Sequence, residues 1–202
     1  MSNNIVLVHG IHDNVENWKK FAQGLSEMGF NVRLFAYPSR WALSYYLPWI
    51  QRNDGLRLAN FVEDGDHIIA HSNGGNIVQS AIKNSWKTGD GVCFGKVILF
   101  SAAATSDKMS YPNGCLDECY VVYNPEDRAL KLGALLPFHP FGSIGLLGFV
   151  RTPEKAKDRR FHNVQAYFSS GWFSTNHSFY NGVQRKKWIE FAAGIINSKR
   201  GN

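Results

Sequence analysis

Residues 68–75 read Ile-Ile-Ala-His-Ser-Asn-Gly-Gly, an apolar run that stops at a serine among small residues and resumes at once as the helix-like stretch Asn76 to Lys83. Few folds accommodate that transition. A buried strand that turns directly into a helix brings two backbones close together, so the positions two residues either side of the serine must be small. Ala70 and Gly74 meet that need, giving a variant of G-x-S-x-G with alanine in place of the first glycine. On such an elbow the serine is expected in a positive-φ conformation imposed by its surroundings. Its oxygen stands exposed at the tip of the turn, beside the free N–H groups and positive dipole end of the following helix. Ser72 is therefore the candidate nucleophile.

The rest of the chain repeats the same strand-then-helix rhythm. Ile5 to Val8 is a branched aliphatic run that meets a tight His9-Gly10 turn, as a fully buried parallel strand would. A helix should follow, capped by Asn14, striped by Val15, Trp18, Phe21, Ala22 and Leu25, and stopped by Gly29. Phe30 to Tyr37 reads as the second strand. A ring-rich stretch from Trp41 to Ile50 and a polar helix-like segment to Asp64 lead into the strand Asp66 to Ala70. A helix from about Asn76 to Trp86 precedes the strand Gly95 to Ser101. Cys119 to Tyr123 is a further strand that ends in the turn composition Asn124-Pro125-Glu126-Asp127, and Phe161 to Phe168 is the last. The final helix opens at Tyr180 or Asn181, with Val183, Trp188, Phe191 and Ile195 on its apolar face.

Six strands alternating with helices imply an α/β fold: a mostly parallel sheet with helices on both faces and right-handed crossovers. Sites in such sheets lie at the carboxyl ends of the strands. Gly10, Ser72, Asp127 and His177 all fall just after predicted strands, so the fold should gather them on one edge.

A chain of 202 residues, 44% hydrophobic and 19% charged, has globular composition and enough length for one proper core. No repeat, linker or composition shift divides it, so residues 1–202 are read as a single domain. Its beginning carries no signal-peptide pattern, and Cys93, Cys115 and Cys119 have no zinc-type spacing. Free thiols in a reducing, cytoplasmic setting are expected, with no metal. The apolar stretch Leu130 to Val150 is interrupted by two prolines, four glycines, Lys131 and His139, which suits a pocket-covering loop and short helix better than a membrane span. The net charge of +6 draws on Arg151, Lys155, Lys157, Arg159 and Arg160, and on Arg185, Lys186 and Lys187. These read as solvated faces. No nucleic-acid partner is expected, since no aromatic-interleaved basic motif accompanies them.

On these motifs the chain resembles an α/β hydrolase over nearly its whole length, from the His9-Gly10 turn to the final helix. Its size resembles the minimal lipases and esterases that lack a cap domain. The resemblance implies a nucleophile, acid and base in the order Ser72, Asp127 and His177. It also implies an oxyanion hole from the backbone N–H groups of Ile11 and Asn73. The chemistry explains the set: a seryl hydroxyl is a poor nucleophile near neutral pH, so an imidazole must take its proton and later return one to the leaving group. The imidazole in turn needs a carboxylate to fix its tautomer and stabilise its charged form.

Alternatives for the acid are the adjacent Glu126 and Asp107, which follows the strand Gly95 to Ser101; Asp107 can also cap a helix with Ser106. His71 points the wrong way along the elbow to be the base and should pack or hydrogen-bond locally. His9 and His12 border the oxyanion turn in structural or substrate-contacting roles. His139 and His162 should line a pocket or the surface. Trp41, Tyr45 and Phe138, with His12, would wall an apolar pocket suited to an ester or thioester with a hydrocarbon arm, or else the rings would simply cover the edge of the sheet. No cofactor is implied. The alternative reading is a non-catalytic module of the same fold that binds a ligand or a protein partner.

Overall fold

The computed structural model describes residues 2–11, 15–38, 48–87, 92–105, 115–135, 144–149, 160–166, 177 and 184–198. Its elements in chain order are β1 (Asn4–Val8), α1 (Val15–Glu27), β2 (Asn31–Phe35), α2 (Pro48–Phe61), β3 (His67–His71) and α3 (Gly74–Lys87). There follow β4 (Val97–Phe100), β5 (Cys119–Tyr123), α4 (Arg128–Ala134), α5 (Ile144–Leu147), β6 (Phe161–Gln165) and α6 (Arg185–Asn197).

The strands form one sheet in the order β2-β1-β3-β4-β5-β6, and every pairing is parallel. The expected six-stranded α/β architecture holds. The chain steps outward from β1 to β2, then returns to lay β3 on the other side of β1. The strand order therefore reverses between β1 and β3, where the crevice at the carboxyl ends of an open α/β sheet lies.

Side-chain alternation explains why the central strands read as unbroken apolar runs. In β1, Val6 and Val8 face the core under α2 and α3, with Leu58, Ile77, Ala81 and Ile82. Ile5 and Leu7 face the opposite core, with Trp18, Phe21 and Leu25 of α1 and Trp188, Ala192 and Ile196 of α6. Both faces are covered, so no position in the strand gains from being polar. Of the stripe foreseen on α1, Trp18, Phe21 and Leu25 are buried and Ala22 packs against them, and Gly29 ends the turn that follows with a φ of 92°, which glycine adopts without steric cost.

The boundaries differ from the sequence pattern in instructive ways. α3 starts at Gly74, two residues before the expected Asn76, because the helix begins inside the elbow itself. β4 ends at Phe100 because Ser101 leaves the strand with a φ of 42°. The sequence reading placed a loop and short helix from Leu130; helix α4 instead starts at Arg128, directly after the turn that carries Asp127. It forms because Asp127 caps it, accepting a hydrogen bond from the Leu130 N–H at 3.0 Å. The predicted cap Asn14 and the expected opening of the last helix at Tyr180 or Asn181 lie outside the described residues; α6 is described from Arg185.

Candidate active site

Strand β3 lies between β1 and β4, and the chain turns sharply at its carboxyl end. Ser72 has a φ of 52°, a conformation that costs a non-glycine residue about 1–3 kcal/mol and persists only when its surroundings enforce it. Three hydrogen bonds do so. The Ser72 N–H donates to the Phe100 carbonyl at 3.1 Å, and its own carbonyl accepts from the N–H groups of Gly75 at 3.0 Å and Ala103 at 2.9 Å. Gly74 lies so close to β1 that a Cβ there would come within 2.5 Å of the Val8 carbonyl oxygen and 2.8 Å of that of His9. The small-residue requirement read from the sequence is thus a backbone-to-backbone contact. Ala70 is fully buried in the core, and Ser72 stays partly accessible.

The turn after β1 presses onto this serine. A Cβ on Gly10 would sit 2.9 Å from the Ser72 Cβ, 3.1 Å from the His71 Nδ1 and 3.5 Å from the Ser72 Oγ, so only hydrogen fits. The peptide that follows Gly10 is fixed by His9, together with Tyr37, whose part the sequence did not single out. The His9 Nδ1 donates to the Gly10 carbonyl at 2.8 Å, and its ring stacks on Tyr37 with centroids 4.1 Å apart and planes within 3°. The Tyr37 hydroxyl donates to the His9 carbonyl at 2.7 Å. Because the peptide unit is planar and trans, fixing the Gly10 carbonyl also fixes the opposite direction of the Ile11 N–H. His9 therefore has a structural role, one of the two weighed for it. Tyr37 was legible only as the end of a strand; a ring two residues past β2, the strand paired with β1, was the available signal.

Asp127 follows β5 in a turn where the Asn124 carboxamide oxygen accepts from the Glu126 N–H at 3.0 Å. Its carboxylate is fully buried and divides its oxygens between two tasks. Oδ1 caps α4, and Oδ2 accepts from the His177 Nδ1 at 2.7 Å. With Nδ1 as donor, a neutral His177 ring presents Nε2 as its proton acceptor. Glu126 is exposed, and Asp107 lies outside the described residues. The His177 ring stands 4.6 Å from that of His71, whose Nε2 donates to the His177 carbonyl at 3.0 Å. His71 immediately precedes Ser72 and lies against Gly10, so these contacts bring Gly10, Ser72, Asp127 and His177 to one end of the sheet. Asn73 is fully buried and opens the approach to α3, its side-chain oxygen accepting from the Asn76 amide at 3.2 Å. The pocket residues His12, Trp41, Tyr45 and Phe138 lie outside the described residues.

Among the described residues, the groups with shifted proton affinities are at the opposite edge of the sheet. Burial pushes the His67 pKa down, and burial, then the Glu118 carboxylate, pushes the Tyr120 phenol up. Among the described residues, no cluster of three or more His, Cys, Asp and Glu side chains could hold a metal ion, and no helix is long and apolar enough to cross a membrane.

No family model matches the sequence, and no curated protein matches it. Among solved structures, it is similar to a polyneuridine aldehyde esterase variant, with 16% identity over 53% of this chain and a TM-score of 0.40. It is similar to an extracellular α/β-hydrolase from a Paenibacillus species, with 21% identity over 66% of this chain and a TM-score of 0.39. The matches take in 43% and 50% of those two proteins, so this chain spans about half their length. A monoacylglycerol lipase from Paleococcus ferrophilus matches with 14% identity over 96% of this chain and 92% of its own, at a TM-score of 0.49. The fold reading rests on the parallel sheet, the reversal of strand order between β1 and β3, and the strained serine that joins β3 to α3, which together form an α/β-hydrolase architecture.

Proposed function

We propose that this protein is a serine hydrolase that cleaves carboxylic esters or thioesters through an acyl-enzyme intermediate. The observation that carries this reading is the His177–Asp127 hydrogen bond, tied through His71 to the strand end that bears a strained, accessible serine with Gly10 against it. In the first half-reaction the Ser72 oxygen attacks the substrate carbonyl while His177 Nε2 takes its proton. The same nitrogen then protonates the departing alcohol or thiol as the tetrahedral intermediate collapses. In the second half-reaction His177 deprotonates a water, which attacks the acyl-serine and frees the acid. Asp127 holds the imidazole in the Nδ1–H form and stabilises the imidazolium that appears in both halves.

The oxyanion is assigned to the backbone N–H groups of Ile11 and Asn73, with His9 and Tyr37 holding the first of these peptides in direction. Such a donor is worth about 3–4 kcal/mol of transition-state stabilisation. A hydrogen at Gly10 leaves the substrate carbonyl room beside Ser72. His12, Trp41, Tyr45 and Phe138 are assigned to the acyl pocket from the sequence alone. The reading takes the chain as one domain without a cap, acting in a reducing compartment, in keeping with Cys93, Cys115 and Cys119 all being free thiols.

A fluorophosphonate probe tests the proposal. Stoichiometric labelling that maps to Ser72, with turnover of short activated esters, is expected. A well-folded protein that takes no label at Ser72 and hydrolyses no ester or thioester across a panel of acyl lengths would sink the enzyme reading in favour of a binding module.

A further inference from the structure

We infer that His71 is a positioning residue that holds the segment bearing the base. The inference rests on the hydrolase reading above but is drawn from a separate contact. His71 ends β3 with its side chain almost wholly buried, on the same face of the sheet as Ile69 and near Trp18, whose ring centroid lies 6.4 Å away. It spans 106 positions of sequence to donate from Nε2 to the main-chain carbonyl of His177 at 3.0 Å.

The carbonyl is only an acceptor, so His71 Nε2 carries the proton, and that nitrogen is not available to take one from Ser72. Of the two roles expected of His71, packing holds, with its ring buried near Trp18, and the bond to the His177 carbonyl is a long-range one that the sequence did not suggest. Its geometric value follows from the number of anchors on His177. Asp127 fixes Nδ1, but a ring held at one atom can still swing as the Cα–Cβ bond turns and the main chain shifts. A second anchor on the residue's own carbonyl fixes the main chain. Two anchors at opposite ends of the residue define where Nε2 points. Because His71 is covalently joined to Ser72, the same strand end sets the position of the nucleophile and of the base, and the two cannot drift apart independently.

A pair of substitutions separates this role from mere packing. His71→Phe keeps a ring and removes the donor; His71→Gln places an amide N–H near the position of Nε2. With folding checked by circular dichroism, His71→Phe should lower kcat by about 10- to 100-fold with KM within about twofold, the scale of a small misplacement of a reacting group. His71→Gln should recover most of that loss. In parallel, the low-field NMR proton of His177 Nδ1, identified by its absence from His177→Ala, should broaden or disappear in His71→Phe and persist in His71→Gln. Should His71→Phe fail to fold, His71→Asn, whose amide is too short to reach the carbonyl, replaces it with the same expected losses.

Equal losses in the donor-bearing and donor-lacking variants would overturn the inference, as would a folded His71→Phe with unchanged kcat and resonance. A wild-type protein inert to esters and to the fluorophosphonate would defeat the hydrolase reading alone, since the resonance comparison does not depend on turnover.

Discussion

At both edges of the sheet buried polar groups bond to one another, but at the amino edge the bonds tie chain ends down, whereas at the carboxyl edge they orient side chains around Ser72. Lys96, just before β4, is buried, yet its ammonium donates to the Ile195 carbonyl at 2.7 Å and to the Ser198 carbonyl and hydroxyl at 2.6 and 2.7 Å. Glu118 completes its shell at 3.3 Å. His67 accepts from the Lys96 N–H at 2.9 Å through Nδ1 and donates through Nε2 to the Ser2 carbonyl at 3.0 Å. Asp66 pairs with Arg33. That edge fastens the end of α6 and the start of the chain to the sheet. The carboxyl edge instead carries the two non-glycine residues with positive φ among those described, Ser72 and Ser101. Strain alone does not single out Ser72, the proposed nucleophile: Ser101 is fully buried, while Ser72 is partly open and lies beside Gly10. The lesson is that one edge contributes stability and the other spends it on placement.

The sharpest way to break this contrast is to alter the two serines separately. Ser72→Ala should reduce kcat by about a million-fold, as loss of the nucleophile does in a well-studied serine protease, and abolish fluorophosphonate labelling, with the thermal midpoint little changed. Ser101→Ala should keep both turnover and label. Label found on Ser101 instead would invert the assignment.

Asp127→Asn follows in size, with an expected loss of about 10⁴-fold in kcat because an amide favours the wrong tautomer of His177. Asparagine still caps α4, so stability should hold, whereas Asp127→Ala should also lose about 1 kcal/mol in denaturant unfolding. Glu126→Gln should behave as wild type. A larger defect in Glu126→Gln than in Asp127→Asn would move the acid to Glu126.

At the amino edge the readouts exchange places. Lys96→Met should cost about 3 kcal/mol of stability by removing the charged donor from the buried Ile195 carbonyl and the partly buried Ser198 carbonyl and leaving Glu118 without it. Activity per folded molecule should stay within about twofold, since at this edge the change leaves Ser72 and His177 where they are. A folded Lys96→Met with wild-type stability but impaired turnover would erase the distinction between the edges.

The smallest effect is a dependence on pH. Desolvation lowers the His67 pKa in the folded state, so the folded protein favours the neutral ring more than the unfolded chain does. Its contribution is complete above the unfolded value of about 6.5 and is lost as the pH falls from there through the depressed folded value. The fall in unfolding free energy between about pH 7.5 and pH 5, measured by denaturant titration, should therefore be shallower in His67→Gln. An unchanged slope would mean that His67 is not the source.

Much of this was legible before folding is considered. β5 and its following turn were bounded by Cys119 and Tyr123 as read, and α1 by its stripe and Gly29, because a buried strand or amphipathic helix needs a residue pattern that repeats locally. The elbow was legible because closeness between strand and helix excludes side chains at fixed offsets from Ser72. Less visible were Tyr37, which matters through a ring stacked on His9, and α4, whose cap had been read only as a carboxylate for His177. A residue with two partners shows one signal in sequence.

The amino-acid sequence by itself determined the alternation of strands and helices, the position of the serine turn and the short set of acids and bases able to serve it, since each depends on neighbours a few residues away. Only the tertiary structure decided the strand order, the choice of Asp127 as the carboxylate bonded to His177, and the reach of His71 to the His177 carbonyl. Those depend on which distant segments the packed sheet brings within about 3 Å of one another, the range in which a hydrogen bond acts and at which sequence separation carries no information.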